Sequence, residues 1–224
     1  MVTIYCVKWG KKYSSKYVNR LYNMLKRNCS QPFNLYCYTD NPKGIRKDVN
    51  IIPIEDDSKE SWWYKLDLLQ MTESNCILFD LDVIILQDPV RLFNLKTEKP
   101  TVIASSWKKP WSFYKGNTAG QKSTLYNSSI IKWEYGQGWD IYEFFQANVD
   151  EMMLKYSGID RMLWNEEACD VDTLPEGIVY SYWLGNKFPD DVEPEKYREG
   201  FDVCIFNHEP KMDSVTGWPL DYWK

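Results

Sequence analysis

Short apolar runs alternate along the chain with longer segments in which apolar side chains recur every three or four residues. Val2 to Val7 reads as an opening strand, and Lys8-Trp9-Gly10-Lys11-Lys12 as the polar turn after it. From Tyr13 to Asn28 the apolar positions Tyr17, Val18, Leu21, Tyr22, Met24 and Leu25 keep helical spacing. Asn34 to Thr39 predicts a second strand, ended by the turn signal Asp40-Asn41-Pro42, and Asn50 to Ile54 a short third. Ser61 is placed to cap a helix from Trp62 to about Thr72. The run from Asn75 to Leu86 then reads as one buried strand interrupted only by Asp80 and Asp82.

Further strands are predicted at Pro100 to Ser105, Leu125 to Ile131 and Asp202 to Phe206, the stretch between Tyr182 and Asp202 being polar and Pro-rich. A helix over Trp139 to Tyr156, broken near Asn148, and another opening at Gly158 with Asp160 in its first turn complete the pattern. Such alternation predicts an α/β domain with a mostly parallel, Rossmann-like sheet, helices on both faces and ligands at the carboxyl ends of the strands. At this length one domain is expected, in two halves over 1–105 and 106–224. Residues 107–121 mix Trp, Lys, Pro and Gly without a period, which predicts a flexible functional flap.

The acidic pair changes the picture from architecture to chemistry. On an extended segment, side chains at i and i+2 point to one side, so Asp80 and Asp82 would present their oxygens together while Leu81 faces away. Two carboxylates at the end of a buried strand need a compensating cation, cationic side chain or proton. With 18 Asp in 224 residues a chance match to this spacing is expected, and it occurs twice. The second copy, Asp170-Val171-Asp172, follows no apolar strand and reads as a solvated connection.

His208, the only histidine, sits just past the last predicted strand, on the Asp82 side of the sheet if the two strands run parallel. Asp80, Asp82 and His208 would then offer Mn²⁺ (or Mg²⁺) two carboxylates and one imidazole, with Lys211 facing phosphate oxygens. Composition adds exclusions. A net charge of −5, with cations dispersed among acids, argues against a nucleic-acid surface. No run is long enough for a membrane span, and six cysteines without a C-x-x-C pair read as reduced core thiols of a cytoplasmic protein. Aromatic residues make up 16% of the chain, with 11 Trp, which leans weakly toward carbohydrate.

Taken together these motifs resemble a small GT-A fold glycosyltransferase, similar to family-eight nucleotide-sugar enzymes of the glycogenin and bacterial galactosyltransferase group and to short versions carried by large DNA viruses and phages. The resemblance rests on Val7 to Gly10 after the first strand, Thr39-Asp40 after the second, Lys65-Leu66, Asp80-Leu81-Asp82, Asn127-Ser128-Ser129, Asp160-Arg161 and His208-Glu209-Pro210-Lys211. It implies that Asp80, Asp82 and His208 bind the metal and that Lys65 and Lys211 meet the diphosphate. It further implies nucleoside contacts from Val7, Lys8, Gly10, Thr39, Asp40 and Leu81, with Asn127 and Asp160 at the donor sugar. A UDP-sugar donor, a glycan acceptor and a retaining reaction are the family defaults. Arg161 stands where the family has Gln, and the loop around the terminal His is shorter, so the donor sugar and stereochemistry are left open.

Two other readings share parts of this pattern. A haloacid-dehalogenase-type phosphatase also ends a buried strand in D-x-D, but on its first strand and with Thr or Val where Ile84 stands. A non-catalytic sugar-binding module could stack sugars on Trp107 and Trp111, but has no need of an acidic pair together with His208 and Lys211.

Overall fold

The structure is a computed structural model that describes residues 1–109 and 124–224. Pleating of the strands sorts side chains into two cores. On β1 (Val2–Lys8), Val2, Ile4 and Cys6 enter one core and Tyr5 the other. On β4 (Cys76–Phe79), Ile77 and Phe79 join the first and Cys76 and Leu78 the second. Helix α1 (Ser15–Asn28) buries Val18, Leu21 and Leu25 in the first core. The opposite face is covered by α3 (Trp139–Ala147), α4 (Val149–Lys155), α5 (Ile159–Asn165) and a run of 3₁₀ turns over Ser61–Gln70.

The main sheet has seven strands in the order β3-β2-β1-β4-β7-β6-β8. It includes β2 (Phe33–Thr39), β3 (Asn50–Pro53), β6 (Thr101–Ala104), β7 (Tyr126–Trp133) and β8 (Asp172–Thr173). Pairings from β3 to β4 are parallel, β7 runs antiparallel to both neighbours, and β8 is parallel to β6, so β7 alone is reversed. The mostly parallel α/β sheet expected from the alternation is present. The break near Asn148 is also present, as the boundary between α3 and α4.

Three expectations need correction. The apolar run over 75–86 is not one strand: β4 ends at Phe79, the chain turns through Leu81 and Asp82, and β5 (Val83–Ile85) pairs in a separate sheet with β10 (Val203–Ile205) and β9 (Val179–Ser181). A continued strand would have carried Asp82 into an apolar layer, and the turn leaves it facing a cavity instead. Second, β10 runs antiparallel to β5 rather than parallel to β4 in the main sheet. Third, the segment after Ser61 is 3₁₀, and Ser61 has φ of 53°, outside the extended region an N-cap requires. Every residue from Trp63 to Leu69 is buried, including Lys65 and Asp67, so the segment has no solvent face to make it an amphipathic α-helix.

Short helices α2 (Val90–Phe93) and α6 (Pro219–Tyr222) had no periodic signal. All six cysteines are free thiols. No helix among the described residues is long and apolar enough to cross a membrane. Residues 110–121 of the expected flap, Trp111 among them, lie outside the described residues. Trp107, assigned to an exposed stacking surface in the sugar-module reading, is buried at 4% exposure.

Candidate active site

A cavity of about 350 Å³ opens where the chain leaves β1 to one side and β4 to the other. It lies at the carboxyl ends of parallel strands, at the switch point where strand order reverses, which is where open α/β sheets bind ligands. Each wall comes from a different element. Val7 and Trp9 close β1, Asp80 to Asp82 follow β4, Asn127 to Ser129 lie on β7, Gly158 to Arg161 open α5, and Asn207 and Lys211 follow β10.

The two aspartates are compensated by lysines. Lys65 Nζ lies 2.5 Å from Asp80 Oδ1 and donates to the Ser128 carbonyl at 3.2 Å. Lys211 Nζ lies 2.8 Å from Asp82 Oδ2 and donates to the Phe206 carbonyl at 2.5 Å. Tyr13 donates its hydroxyl to the same Asp82 oxygen at 2.9 Å. Burial, followed by the charges of Asp82 and Asp80, holds the Tyr13 phenol far above its ordinary value, so it stays protonated and keeps the proton it donates to Asp82. Burial also raises the Asp80 carboxyl, opposed by Lys65 and reinforced by Asp82. Backbone bonds hold the turn: Asp80 N–H donates to Ser129 O at 2.8 Å and Phe206 N–H to Asp82 O at 2.8 Å.

On the far side, Asp160 Oδ1 accepts the Ser128 N–H at 2.8 Å, and Asn127 Oδ1 accepts the Ser129 N–H at 3.0 Å. Of the residues the sequence singled out, Val7, Lys65, Asp80, Leu81, Asp82, Asn127, Asp160 and Lys211 thus line one cavity. Lys8, Gly10, Thr39 and Asp40 do not. They tie the ends of β1 and β2 together, through Gly10 N–H to Asp40 Oδ2 at 3.0 Å and buried Lys8 Nζ to Asn41 O at 3.0 Å. Gly10 has φ of +64°, a conformation that favours glycine.

His208 is exposed and is not part of the lining, because β10 belongs to the second sheet and the turn after it brings back Asn207 and Lys211 instead. The expected trio is not gathered: among the described residues no three His, Cys, Asp or Glu side chains cluster tightly enough to hold a metal ion.

No protein-family model matches the sequence, and no curated protein is similar to it. Solved structures do match the fold. The galactosyltransferase LgtC in complex with donor and acceptor sugar analogues aligns with a TM-score of 0.63 at 8% identity over 94% of this chain and 89% of that one. The chain has the GT-A glycosyltransferase fold. An active-site mutant of LgtC aligns with a TM-score of 0.66 at 8% identity, covering 97% of this chain and 92% of its own. The bifunctional glycosyltransferase WbbM aligns at 0.62 and 12% identity over 94% of this chain, which spans 46% of WbbM. At such identities the likeness concerns the GT-A fold, similar to family-eight enzymes, and not the substrate.

The carboxylate pair fits a divalent cation of the kind that binds through one or two carboxylates plus substrate phosphates and needs no third protein ligand. Both groups are hard oxygen donors facing the same cavity, and Asp80 is a quarter exposed there. Lys12, Tyr13 and Trp62, which belong to none of the sequence motifs, also line this cavity, as does Trp9 from the Val7 to Gly10 segment. Trp9, Lys12 and Tyr13 follow β1, so the rule that ligands meet strand carboxyl ends was the available signal. Trp62 carried none, because its position depends on the 3₁₀ geometry.

Proposed function

We propose that the protein transfers a sugar from a nucleoside diphosphate donor, with UDP-sugars favoured, to a carbohydrate or glycan acceptor in a reaction that requires Mn²⁺ or Mg²⁺. The observation that carries this reading is the placement of Asp80, Asp82, Lys65 and Lys211 around one cavity at the strand switch point of a GT-A fold.

Breaking a sugar–phosphate bond leaves negative charge on the departing diphosphate. Lys211 and Lys65 are the cations positioned to meet that charge, and donors aimed at developing charge in a recessed site contribute the most to such a step. Each lysine exchanges a carboxylate for a phosphate oxygen when the donor enters, so its positive charge is never left alone. Asp80 and Asp82 would hold the cation, which when bound supplies Lewis-acid stabilisation of the same oxygens. His208 would join them only by a movement of its turn. Asp160 and Asn127 stand at the sugar end, where a carboxylate can order hydroxyls or accept a proton from the acceptor. A retaining outcome, in which the departing phosphate assists the attack of the acceptor, is the default of the resembled family.

The test is a panel of nucleotide sugars with Mn²⁺, scored for nucleoside diphosphate release. One UDP- or GDP-sugar is expected to turn over, with loss of activity in Asp82→Ala and on chelation. Equal turnover by Asp82→Ala refutes the site, and turnover of simple phosphate esters instead would favour the phosphatase reading.

A further inference from the structure

The charges lining the cavity do not all cancel locally. Lys65 and Lys211 are spoken for by Asp80 and Asp82. Arg161, which follows Asp160 on the sugar side, has no carboxylate within 4.0 Å among the described residues. Its Nη1 donates to Ser157 Oγ at 2.8 Å, whereas Nε is shielded from bulk water and has no acceptor. The Nε/Nη2 edge of the guanidinium therefore makes no hydrogen bond to any described residue. Lys12 is the other lining cation without a carboxylate, but it is exposed and loses nothing to desolvation.

A half-buried guanidinium with one edge unclaimed is costly unless a ligand completes it, since a shielded N–H without an acceptor costs about 1–3 kcal/mol. That edge presents two parallel N–H groups in the geometry of a carboxylate. In the same cavity lining the Trp62 indole, 41% exposed, lies against Gly158, three residues before Arg161, where a Cβ would come within 3.4 Å of its Nε1. An aromatic ring and a cationic fork in the lining of one cavity suit a sugar that carries an acid group. Neighbouring Asp160 does not neutralise the fork, because its Oδ1 is engaged by the Ser128 N–H and no ion pair joins the two.

We infer that Arg161 is a specificity-determining residue that receives a carboxylate carried by one of the reacting sugars, either a hexuronate on the donor or an acidic residue on the acceptor. The inference rests on the sugar-transfer reading above. It concerns residue choice at one end of the cavity, so each can fail alone.

Titration calorimetry in Mg²⁺ separates them. UDP, UDP-glucose and UDP-glucuronate are titrated into the protein, then methyl glucoside and methyl glucuronide into its UDP complex. The same series is run on Arg161→Gln and Arg161→Lys, with thermal unfolding confirming that both variants fold. A charged hydrogen-bonded pair predicts about tenfold or greater preference for the acidic partner, removed in Arg161→Gln and partly kept in Arg161→Lys. Preference among donors assigns the carboxylate to the donor, and preference only between the glycosides assigns it to the acceptor. UDP binding with no acidic preference in either arm, or a preference that survives Arg161→Gln, overturns the inference and leaves the transfer reading standing. Absence of binding by UDP and every UDP-sugar overturns the inference together with the choice of UDP as donor, while the transfer reading is decided by the nucleotide-sugar panel above.

Discussion

The two ends of the cavity handle charge in opposite ways. At the end formed after β4 and β10, Asp80 faces Lys65 and Asp82 faces Lys211, each within 2.8 Å, and Tyr13 adds a third group to Asp82. At the end formed by β7 and α5, Asp160 leans on a backbone amide and Arg161 on a serine hydroxyl, with no ion pair between them. The first end is a closed set that stabilises the empty protein. The second is incomplete, with its charge held for something that arrives from outside. Stability and specificity should therefore respond to different residues, and that separation can be tested.

The largest effect is expected from Lys211→Met. Asp82 and Lys211 are both less than 10% exposed, so removing one leaves a recessed charge alone, a change worth about 3 kcal/mol. Urea unfolding should show that loss, and diphosphate release should fall about 100-fold or more because the departing charge loses its cation. Arg161→Gln should move the unfolding midpoint by no more than about 0.5 kcal/mol. Equal destabilisation by the two variants would erase the distinction between the ends. Next in size, adding Asp82→Asn to Lys211→Met should recover part of the lost stability without recovering turnover, with a coupling of about 1–3 kcal/mol. Additive losses would mean that the pair is not a unit.

The same division marks what could be read from residues alone. Strands β1 and β4 are parallel and buried, and such strands announce themselves as apolar runs, so the half of the site built from them was legible down to Asp80 and Asp82. What the pattern could not show was the turn through Leu81 and Asp82 that sends β5 to another sheet, since both strands are equally apolar. β10 joins β5 in that second sheet, and the segment after it brings Asn207 and Lys211, not His208, to the cavity lining. Tyr13 and Trp62 were hidden for a related reason: their partners Asp82 and Gly158 are 69 and 96 positions away. Asp160 and Asn127 came from resemblance, and the backbone amides they accept from could not be foreseen from side-chain pattern at all.

Tyr13→Phe probes the closed end more gently. It removes one hydrogen bond to a charged, recessed carboxylate, a loss of about 1.5 kcal/mol, while leaving the Lys211 pair in place. Because the phenol is held protonated, no pH between 6 and 9 should alter the difference between Tyr13→Phe and the parent. A pH-dependent difference would show that the hydroxyl titrates and that Asp82 is less well compensated than its contacts indicate.

The smallest expected shift gives the sharpest comparison, because it separates the hydrogen bond at Asp160 from its charge. Asn at this position retains an oxygen able to accept the Ser128 N–H, so Asp160→Asn should change stability by less than about 0.5 kcal/mol, whereas Asp160→Ala gives up that bond and should cost about 1 kcal/mol. If the carboxylate charge were balanced inside the protein, by Arg161 or by Lys108 nearby, neutralising it would strand a cation and Asn would cost as much as Ala. Urea titrations of the two variants side by side decide this. A null result for Asn, together with reduced transfer, means that the charge at this end is kept for the substrate.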